Sequence, residues 1–274
     1  MKNKKVLLIG AGNMGSAIGK ALLQNDFITP QNFLVSDNWE KNLDFFEKQN
    51  CEISANVKEL IPKADIIILA TKPQPLRDLL LEWKNKNLFK KDVILLSIAA
   101  GISVLDIQEN SGITSVVRIM PNTPLLVGKG VSGYFMSKKV TENNENISYI
   151  KNMINCFGLA IECETEEKIN YITALSGSGP AYFFRLLESM AEQGENFGFS
   201  KKDSENIALN TLLGAGLLAE KALKNKTDNF TSLREKVTSK GGTTEAALDY
   251  FEKNGLSEIF QGGMISAKNR AKEL

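Results

Sequence analysis

A glycine-rich turn decides the fold of this chain, in the stretch Val6-Leu7-Leu8-Ile9-Gly10-Ala11-Gly12-Asn13-Met14-Gly15. Its four apolar residues predict a buried strand, and Met14–Gln24 carries apolar residues at helical spacing. A Gly-x-Gly-x-x-Gly string is a weak signal alone, but a strand before it and a helix after it form the context of a dinucleotide-binding turn. Gly10 would permit the tight turn, Gly12 the close approach of a pyrophosphate, and Gly15 the packing of helix on strand. A glycine-rich turn that binds nothing is the alternative.

Outward from this turn, residues 1–163 alternate short apolar runs with amphipathic stretches. Continuous apolar runs are typical of strands buried on both faces, and their alternation with helical patterns favours a parallel sheet. We therefore expect an α/β domain with helices on both faces of the sheet. The predicted strands are Val6–Ile9, Phe33–Ser36, Asp65–Thr71, Val93–Ile98, Val116–Met120 and Val131–Phe135, and the predicted helices here are Met14–Gln24 and Trp39–Lys48.

The pattern changes near Cys163, and residues 164–274 show almost no strand signal. This predicts a second, all-helical domain after the first. Ala208–Leu223 is apolar on more than one face, which is typical of a buried helix and in so small a domain favours a subunit interface. We expect a homodimer or a larger homo-oligomer. The predicted helices are Glu166–Leu175, Ala181–Asn196, Lys202–Lys224, Thr231–Val237, Thr244–Lys253 and Glu258–Lys272.

The composition excludes several classes of function. The 274 residues contain no histidine, which removes histidine as a general base or metal ligand, and we predict no metal site. A net charge of +1 offers no basic field for nucleic acid or an anionic membrane, so neither is an expected partner. Three cysteines without C-x-x-C spacing fit packed thiols in a reducing compartment. The apolar runs are too short to span a bilayer, and we expect a cytoplasmic protein.

Three further segments follow predicted strands and are expected to meet the cofactor, because ligands bind at the carboxyl ends of strands in such sheets. Asp37, with Asn38 beside it, lies about 20 residues after the glycines, where an acidic residue favours NADH and an arginine favours NADPH. A solvent-facing Asp37 is the open alternative. The second segment is Ala70-Thr71-Lys72-Pro73, in which Lys72 would face cofactor or substrate, or else solvent. The third, around Ser97, Ala99 and Ala100, is small enough to admit a flat ring.

Five segments in this order resemble the pyrroline-5-carboxylate reductase family over essentially the whole chain. The resemblance implies a Rossmann-like NAD(P)-binding domain over residues 1–163 and a helical dimerisation and substrate-binding domain over 164–274. It also implies reduction of 1-pyrroline-5-carboxylate to L-proline by NAD(P)H, in active sites built from both subunits. The segments are Gly10–Gly15, Ala70–Pro73, Met120-Pro121-Asn122-Thr123-Pro124, Ala174-Leu175-Ser176-Gly177-Ser178-Gly179-Pro180-Ala181-Tyr182 and Gly241-Gly242-Thr243-Thr244.

The same resemblance implies roles for individual residues. Asn56 would lie near the adenosine, and Ser97, Ala99 and Ala100 beside the nicotinamide. Asn122 would be the useful polar group of a loop shaping the pocket floor. This chain departs from the family pattern at Lys240, where proline often precedes the two glycines, and in having no arginine after Asp37.

The segment Gly241-Gly242-Thr243-Thr244 has the form of an anion site, since flexible glycines precede a helix whose first N–H groups have no partner within the helix. We expect it, with Ser239, to hold the carboxylate of the substrate, while the Thr244 hydroxyl meets the imine nitrogen. An ordinary helix N-cap is the alternative. The Ser176–Pro180 stretch would break one helix and start the next, or else contact substrate or nicotinamide through Ser176 or Ser178.

Two other functions stay open. A β-hydroxyacid dehydrogenase shares the glycine-rich start, but that class has a catalytic lysine and an asparagine soon after a second glycine-rich stretch. Here Pro180-Ala181-Tyr182-Phe183-Phe184-Arg185 follows the glycines, without a lysine. The other is a dinucleotide-binding redox sensor without turnover, because a fold does not establish catalysis.

Overall fold

The computed structural model describes residues 4–273, which form two compact units. The first unit comprises the described residues up to Ser178 together with 267–273, and the second comprises Gly179–Ser266. The strands of the first unit are β1 (Val6–Ile9), β2 (Phe33–Ser36), β3 (Glu52–Ser54), β4 (Ile66–Leu69), β5 (Ile94–Ser97), β6 (Val116–Met120), β7 (Val131–Met136) and β8 (Leu159–Glu162). Its helices are α1 (Asn13–Gln24), α2 (Asp44–Lys48), α3 (Pro73–Asn85), α4 (Val104–Ser111), α5 (Lys138–Thr141), α6 (Asn144–Asn155) and α7 (Lys168–Ile172).

The strands form one sheet in the order β3-β2-β1-β4-β5-β6-β7-β8. All neighbours are parallel except β6 and β7, so the α/β fold class is confirmed while the expectation of a wholly parallel sheet is corrected at one pair. The connection between Met120 and Val131 is short and holds only a 3₁₀ turn, Thr123–Val127, whereas a parallel pair needs a longer crossover. At the centre, β1 lies between β2 and β4, which places the change of strand order at the glycine turn.

Alternate side chains of each central strand enter two separate cores. On one face Val6 and Leu8 join a core covered by α1 and α6, through residues such as Ile18 and Ile150. On the other face Leu7 and Ile9 join a core covered by α3 and α4, including Leu76, Leu80, Trp83 and Ile107. Each of these central strands is thus buried on both faces, as the continuous apolar runs predicted.

The second unit is helical and leaves much apolar surface exposed. In this unit lie α8 (Gly179–Asn196), α9 (Lys201–Asn225), α10 (Phe230–Lys236), α11 (Thr243–Lys253) and α12 (Leu256–Lys272), whose last residues belong to the first unit. Apolar residues of α9, such as Leu213 and Leu217, are more than half exposed in the single chain. None of the described residues after β8 forms a strand, as predicted.

The first unit extends beyond the change from strands to helices. The sequence divides at Cys163, directly after β8, whereas the compact unit continues to Ser178. Glu166 explains the continuation, because its carboxylate accepts hydrogen bonds from the Val104 N–H and the Arg118 guanidinium, each at 2.8 Å. A salt bridge from Lys272 to Glu167 holds the end of α12 to the same unit. The boundary at residue 163 marks where the sequence pattern changes from strands to helices, and as a domain boundary it stays a prediction.

Several short elements differ from the sequence-based expectation. The predicted helix Trp39–Lys48 is a 3₁₀ turn, Glu40–Asn42, followed by the five residues of α2. Strands β3 and β8 were not predicted, and both are short strands at the two edges of the sheet. Such edge strands carry little apolar signal, since less of their surface is buried.

The three thiols pack as small apolar groups. Cys51 and Cys163 are buried and Cys156 is half-buried. Burial raises the pKa of all three and raises the pKa of Cys51 to about 11, so the thiolate that a nucleophile needs is disfavoured. Among residues 4–273 no group of three metal-ligating side chains lies together, and no helix there is long and apolar enough to cross a membrane.

Candidate active site

A cavity of about 490 Å³ opens where β1, β2 and β4 end. The strands end in register, with Ile9 opposite both Ser36 and Leu69, so the residues that follow them meet at one edge of the sheet. The carboxyl edge at a change of strand order is where such sheets bind ligands. Its lining residues are Ile9, Gly10, Gly12, Ser36, Asp37, Asn38, Val57, Ala70, Thr71, Lys72, Pro75, Leu79 and Trp83.

The glycine turn has the geometry that its sequence predicts. Gly10 has φ of +94°, and a Cβ there would lie 2.6 Å from the Ala70 carbonyl oxygen. A Cβ on Gly15 would lie 1.9 Å from the Gly10 oxygen, so the helix packs against the turn too closely for any side chain. At Gly12 a Cβ would meet nothing within 4 Å, which leaves the backbone open to the cavity. Gly12 also caps α1 without a side chain, leaving the helix N-terminus to an anion.

Asp37 lies at the cavity wall directly after β2, and its carboxylate is fixed by the backbone. One oxygen accepts a hydrogen bond from the Ala11 N–H at 2.6 Å and the other from the Trp39 N–H at 2.8 Å. The side chain is half-buried and lines the cavity. The bond to Ala11 joins the end of β2 to the glycine turn.

Two unpaired polar atoms indicate that the cavity fits a polar ligand. Thr71 Oγ1 and Trp83 Nε1 are buried and have no hydrogen-bond partner, and both residues line the cavity. A buried donor without a partner costs about 1–3 kcal/mol, so such atoms are rare unless a ligand or water satisfies them. A dinucleotide offers ring nitrogens, hydroxyls and phosphate oxygens to both. The residues present therefore fit this cofactor.

The rest of the cavity wall includes an apolar surface and one cationic side chain. Val57, Pro75, Leu79 and Trp83 supply apolar surface of the kind that suits a flat base. Lys72 is exposed and directly precedes α3, at the end of β4. Among the described lining residues, Asp37 and Lys72 are the charged ones.

Sequence reasoning missed the apolar wall. Val57 follows a short edge strand, and Pro75, Leu79 and Trp83 lie on α3, whose position depends on packing against the sheet. The spacing of Leu79 and Trp83, four residues apart behind the Ala70–Pro73 segment, is the signal that could have found them.

Other predicted cofactor residues lie outside this cavity wall. Ser97 is buried, and its Oγ accepts a hydrogen bond from the Ala99 N–H at 3.2 Å, which shapes the turn leading to Ala100. Asn56 donates to the Glu59 carboxylate at 3.0 Å. Of the turn itself, Ala11 is buried and bonded to Asp37, while Asn13 and Met14 begin α1 and Pro73 begins α3. Their cofactor contacts stay predictions.

Asn122 and Ser176 come together although 54 residues separate them. The Asn122 amide donates to the Ser176 hydroxyl at 3.0 Å and to its carbonyl at 3.1 Å, and it accepts from the Val131 N–H at 2.8 Å. Ser176 belongs to a π-helical turn, Thr173–Gly177, that separates α7 from α8. Pro180 lies in the first turn of α8, as predicted. Turns of this kind are frequent at functional sites.

In the second unit, Gly241–Thr244 forms the start of α11. Gly241 has φ of +70°, and its N–H donates to the Glu245 carboxylate at 2.6 Å. The N-cap residue Gly242 makes no side-chain cap, so the N–H groups of Thr243 and Thr244 have no acceptor within the helix. A Cβ on Gly242 would crowd the Ser239 hydroxyl and lie 3.0 Å from the Ser239 carbonyl oxygen, so the turn is tight at this position. The alternative of an N-cap by a threonine side chain does not hold.

Known proteins resemble this chain from end to end. Residues 166–274 match the family model described as pyrroline-5-carboxylate reductase dimerisation, and residues 5–101 match the model described as NADP oxidoreductase coenzyme F420-dependent. The pyrroline-5-carboxylate reductase of Haemophilus influenzae is 33% identical, covering 100% of this chain and 98% of its own. That of Methanosarcina acetivorans is 34% identical, covering 100% and 99%.

Solved structures share the fold at similar coverage. A pyrroline-5-carboxylate reductase from Coxiella burnetii superposes with a TM-score of 0.89 at 33% identity, covering 99% of this chain and 98% of that one. The Plasmodium falciparum pyrroline carboxylate reductase with NADP bound gives 0.85 at 28% identity, covering 100% and 98%. With relatives above 30% identity over its whole length, the chain belongs to the pyrroline-5-carboxylate reductase family.

Proposed function

We propose that this chain is a pyrroline-5-carboxylate reductase, which reduces the C=N bond of 1-pyrroline-5-carboxylate with NAD(P)H and yields L-proline. The observation that carries the proposal is the cavity at the glycine turn, in a chain whose full-length relatives bear that name. Proline biosynthesis is then its role, and the cytoplasm its expected location. The whole-chain match disfavours the β-hydroxyacid dehydrogenase, and the retained Gly241–Thr244 segment disfavours a sensor without turnover.

In this proposal the first unit binds the cofactor. The open backbone at Gly12 and the N-terminus of α1 hold the pyrophosphate, and Asp37 and Asn38 hold the adenosine ribose. The remaining contacts come from the rest of the turn (Gly10, Ala11, Asn13, Met14, Gly15), from Asn56 at the adenosine, from the Ala70–Pro73 segment, and from Ser97, Ala99, Ala100 and Asn122 toward the nicotinamide. When bound, the nicotinamide supplies the hydride.

The substrate carboxylate is bound by the start of α11. The N–H groups of Thr243 and Thr244 lack acceptors within the helix, and the positive end of its dipole favours an anion. Ser239, Gly241, Gly242 and Ser176 complete the proposed contacts. Anchoring the carboxylate orients the ring so that its C=N carbon accepts the hydride, while the nitrogen keeps or gains one proton. The Thr244 hydroxyl bonds to that nitrogen, and Lys72, a charged residue of the cavity wall, is the other proposed catalytic group.

We further propose that two copies pair through the second unit. The family model matched there is one for dimerisation, and Phe184, Leu217 and Leu218 are each at least 60% exposed in the single chain. Leu217→Asp should convert a wild-type dimer into a monomer in sedimentation velocity, because burying the new charge is unfavourable. Lys202→Asp on the same helix is the control and should stay dimeric. A wild-type monomer at micromolar concentration would refute the proposal.

The activity is tested by following oxidation of NADH and NADPH in the presence of 1-pyrroline-5-carboxylate, with proline measured as the product. We expect one proline for each reduced cofactor consumed. A parallel assay supplies a 3-hydroxyacid with the oxidised cofactors and should show no reduction. Folded, dimeric protein that leaves the cyclic imine unreacted with both cofactors would rule out the proposed function.

A further inference from the structure

The Asp37 carboxylate determines which reduced cofactor fits the cavity, and we propose that it makes this chain prefer NADH over NADPH. The inference rests on the proposed function, since it names the cofactor of that same site. Asp37 directly follows β2, in register with the glycine turn that follows β1. If a pyrophosphate binds at Gly12, Asp37 is the residue that would bind the hydroxyls of the adenosine ribose on the β2 side.

The geometry of Asp37 favours a ribose with free hydroxyls. Its two oxygens accept the N–H groups of Ala11 and Trp39, and each oxygen has a second lone pair left. The 2′ and 3′ hydroxyls of NADH can donate to these lone pairs while the carboxylate stays where it is. The site is therefore already arranged for NADH before the cofactor binds.

NADPH, which carries a phosphate in place of the 2′ hydroxyl, fits this site less well. The phosphate removes the 2′ hydroxyl donor and brings a dianion against a carboxylate. Asp37 cannot rotate away without leaving the N–H groups of Ala11 and Trp39 without their acceptor. The two like charges repel, and because Asp37 is half-buried, solvent screens this repulsion only in part. The repulsion persists as long as the glycine turn keeps its shape.

The nearby cations do not offset this repulsion. Lys72 is the one cation among the described lining residues, and it follows β4, on the other side of β1 from β2. The next candidate, Lys58, is held 2.6 Å from the Glu82 carboxylate. Lys41 is exposed and lies outside the cavity wall, and Asn38, beside Asp37, is uncharged.

Binding is measured first, without turnover. Calorimetry compares 5′-AMP with adenosine 2′,5′-bisphosphate, which differ only in the phosphate at issue. We expect 5′-AMP to bind at least tenfold more tightly, and kcat/KM to be at least tenfold higher with NADH than with NADPH. Equal or tighter binding of the bisphosphate, or equal or higher kcat/KM with NADPH, overturns the proposal.

Two variants test the assignment to Asp37. Asp37→Asn removes the charge and should lower the NADH-to-NADPH ratio of kcat/KM at least tenfold. Asn38→Arg should lower the same ratio by raising kcat/KM for NADPH. Asp44→Asn, a surface carboxylate of α2, is the control and should keep the wild-type ratio. An unchanged ratio in Asp37→Asn contradicts the proposal, and if that variant does not fold, Asn38→Arg and the two adenosine nucleotides still decide.

The outcome separates this inference from the function that it rests on. Turnover of the imine with NADPH as the better cofactor leaves the proposed function standing and removes the NADH preference. If 5′-AMP binds more tightly than the bisphosphate but the imine is not reduced, the cavity still disfavours a 2′-phosphate, and the proposed function is ruled out.

Discussion

The two ends of the proposed reaction are built in different ways. The cofactor cavity lies among strands whose apolar side chains are fully buried, and Asp37 and the glycines are fixed by bonds within the first unit. Gly241–Thr244 starts an exposed helix in a unit that leaves large apolar residues such as Leu217 exposed. The first site is organised by its own unit, whereas the second lies in a unit that leaves much apolar surface exposed. Substitutions at the two sites should therefore act differently.

Gly12→Ala should give the largest effect, and it should act on the cofactor alone. Its new methyl group meets no protein atom within 4 Å but would occupy the space proposed for the pyrophosphate. We expect the affinity for the cofactor to fall at least 100-fold, about 2.7 kcal/mol, while the free energy of unfolding changes by less than about 1 kcal/mol. Calorimetry and denaturant titration measure the two effects.

Gly15→Ala is the matched control for that substitution. The same methyl group here would lie 1.9 Å from the Gly10 oxygen, so the backbone must shift. Overpacking of this kind typically costs about 1–3 kcal/mol, and we expect this variant to lose stability together with affinity. If Gly12→Ala loses as much stability as Gly15→Ala, the free space beside Gly12 does not indicate a cofactor site.

Thr244→Val tests the other end of the reaction. Removing the hydroxyl keeps the shape of the side chain, so kcat/KM for the imine should fall at least tenfold, about 1.4 kcal/mol, with cofactor affinity unchanged. Thr231 holds the equivalent second position of α10, and Thr231→Val should behave as wild type. Wild-type kinetics in Thr244→Val would remove this hydroxyl from the mechanism.

The difference between the sites also explains what the sequence could predict. Residues close together in the sequence determine strand β1, the positive φ of Gly10 and the location of Asp37. A short sequence pattern was therefore enough to predict all three. Contacts between distant segments left no such pattern. The bonds from Asn122 to Ser176 span 54 residues, and the place of Trp83 depends on how α3 packs on the sheet.

At Gly241–Thr244 the sequence predicted the helix start but missed what holds it. Glu245 accepts the Gly241 N–H at 2.6 Å, which fixes the turn where the family often has proline in place of Lys240. Glu245→Ala should raise KM for the imine about fivefold, roughly the worth of one hydrogen bond, with little change in kcat. Glu245→Gln keeps an acceptor and should stay within about twofold of wild type.

Two further variants sharpen that prediction. Glu252→Ala, at an exposed position of the same helix, should leave KM unchanged. Adding Lys240→Pro to Glu245→Ala should recover most of the loss, because a fixed φ restricts the turn in place of the hydrogen bond. An equal rise in KM for Glu245→Gln and Glu245→Ala would mean that the charge, and not the hydrogen bond, matters.

Trp83→Phe should have the smallest effect on affinity. The indole N–H is buried without a partner, but the whole side chain is buried and the smaller ring leaves a cavity, so the free energy of unfolding should fall by about 1–3 kcal/mol. If the cofactor accepts this N–H, its affinity should also fall, by about threefold, near the lower end of the net value of one hydrogen bond. Denaturant titration and calorimetry measure the two effects. A loss of stability with unchanged affinity would show that Trp83 serves packing alone, through its edge-to-face contact with Phe89 at 6.2 Å.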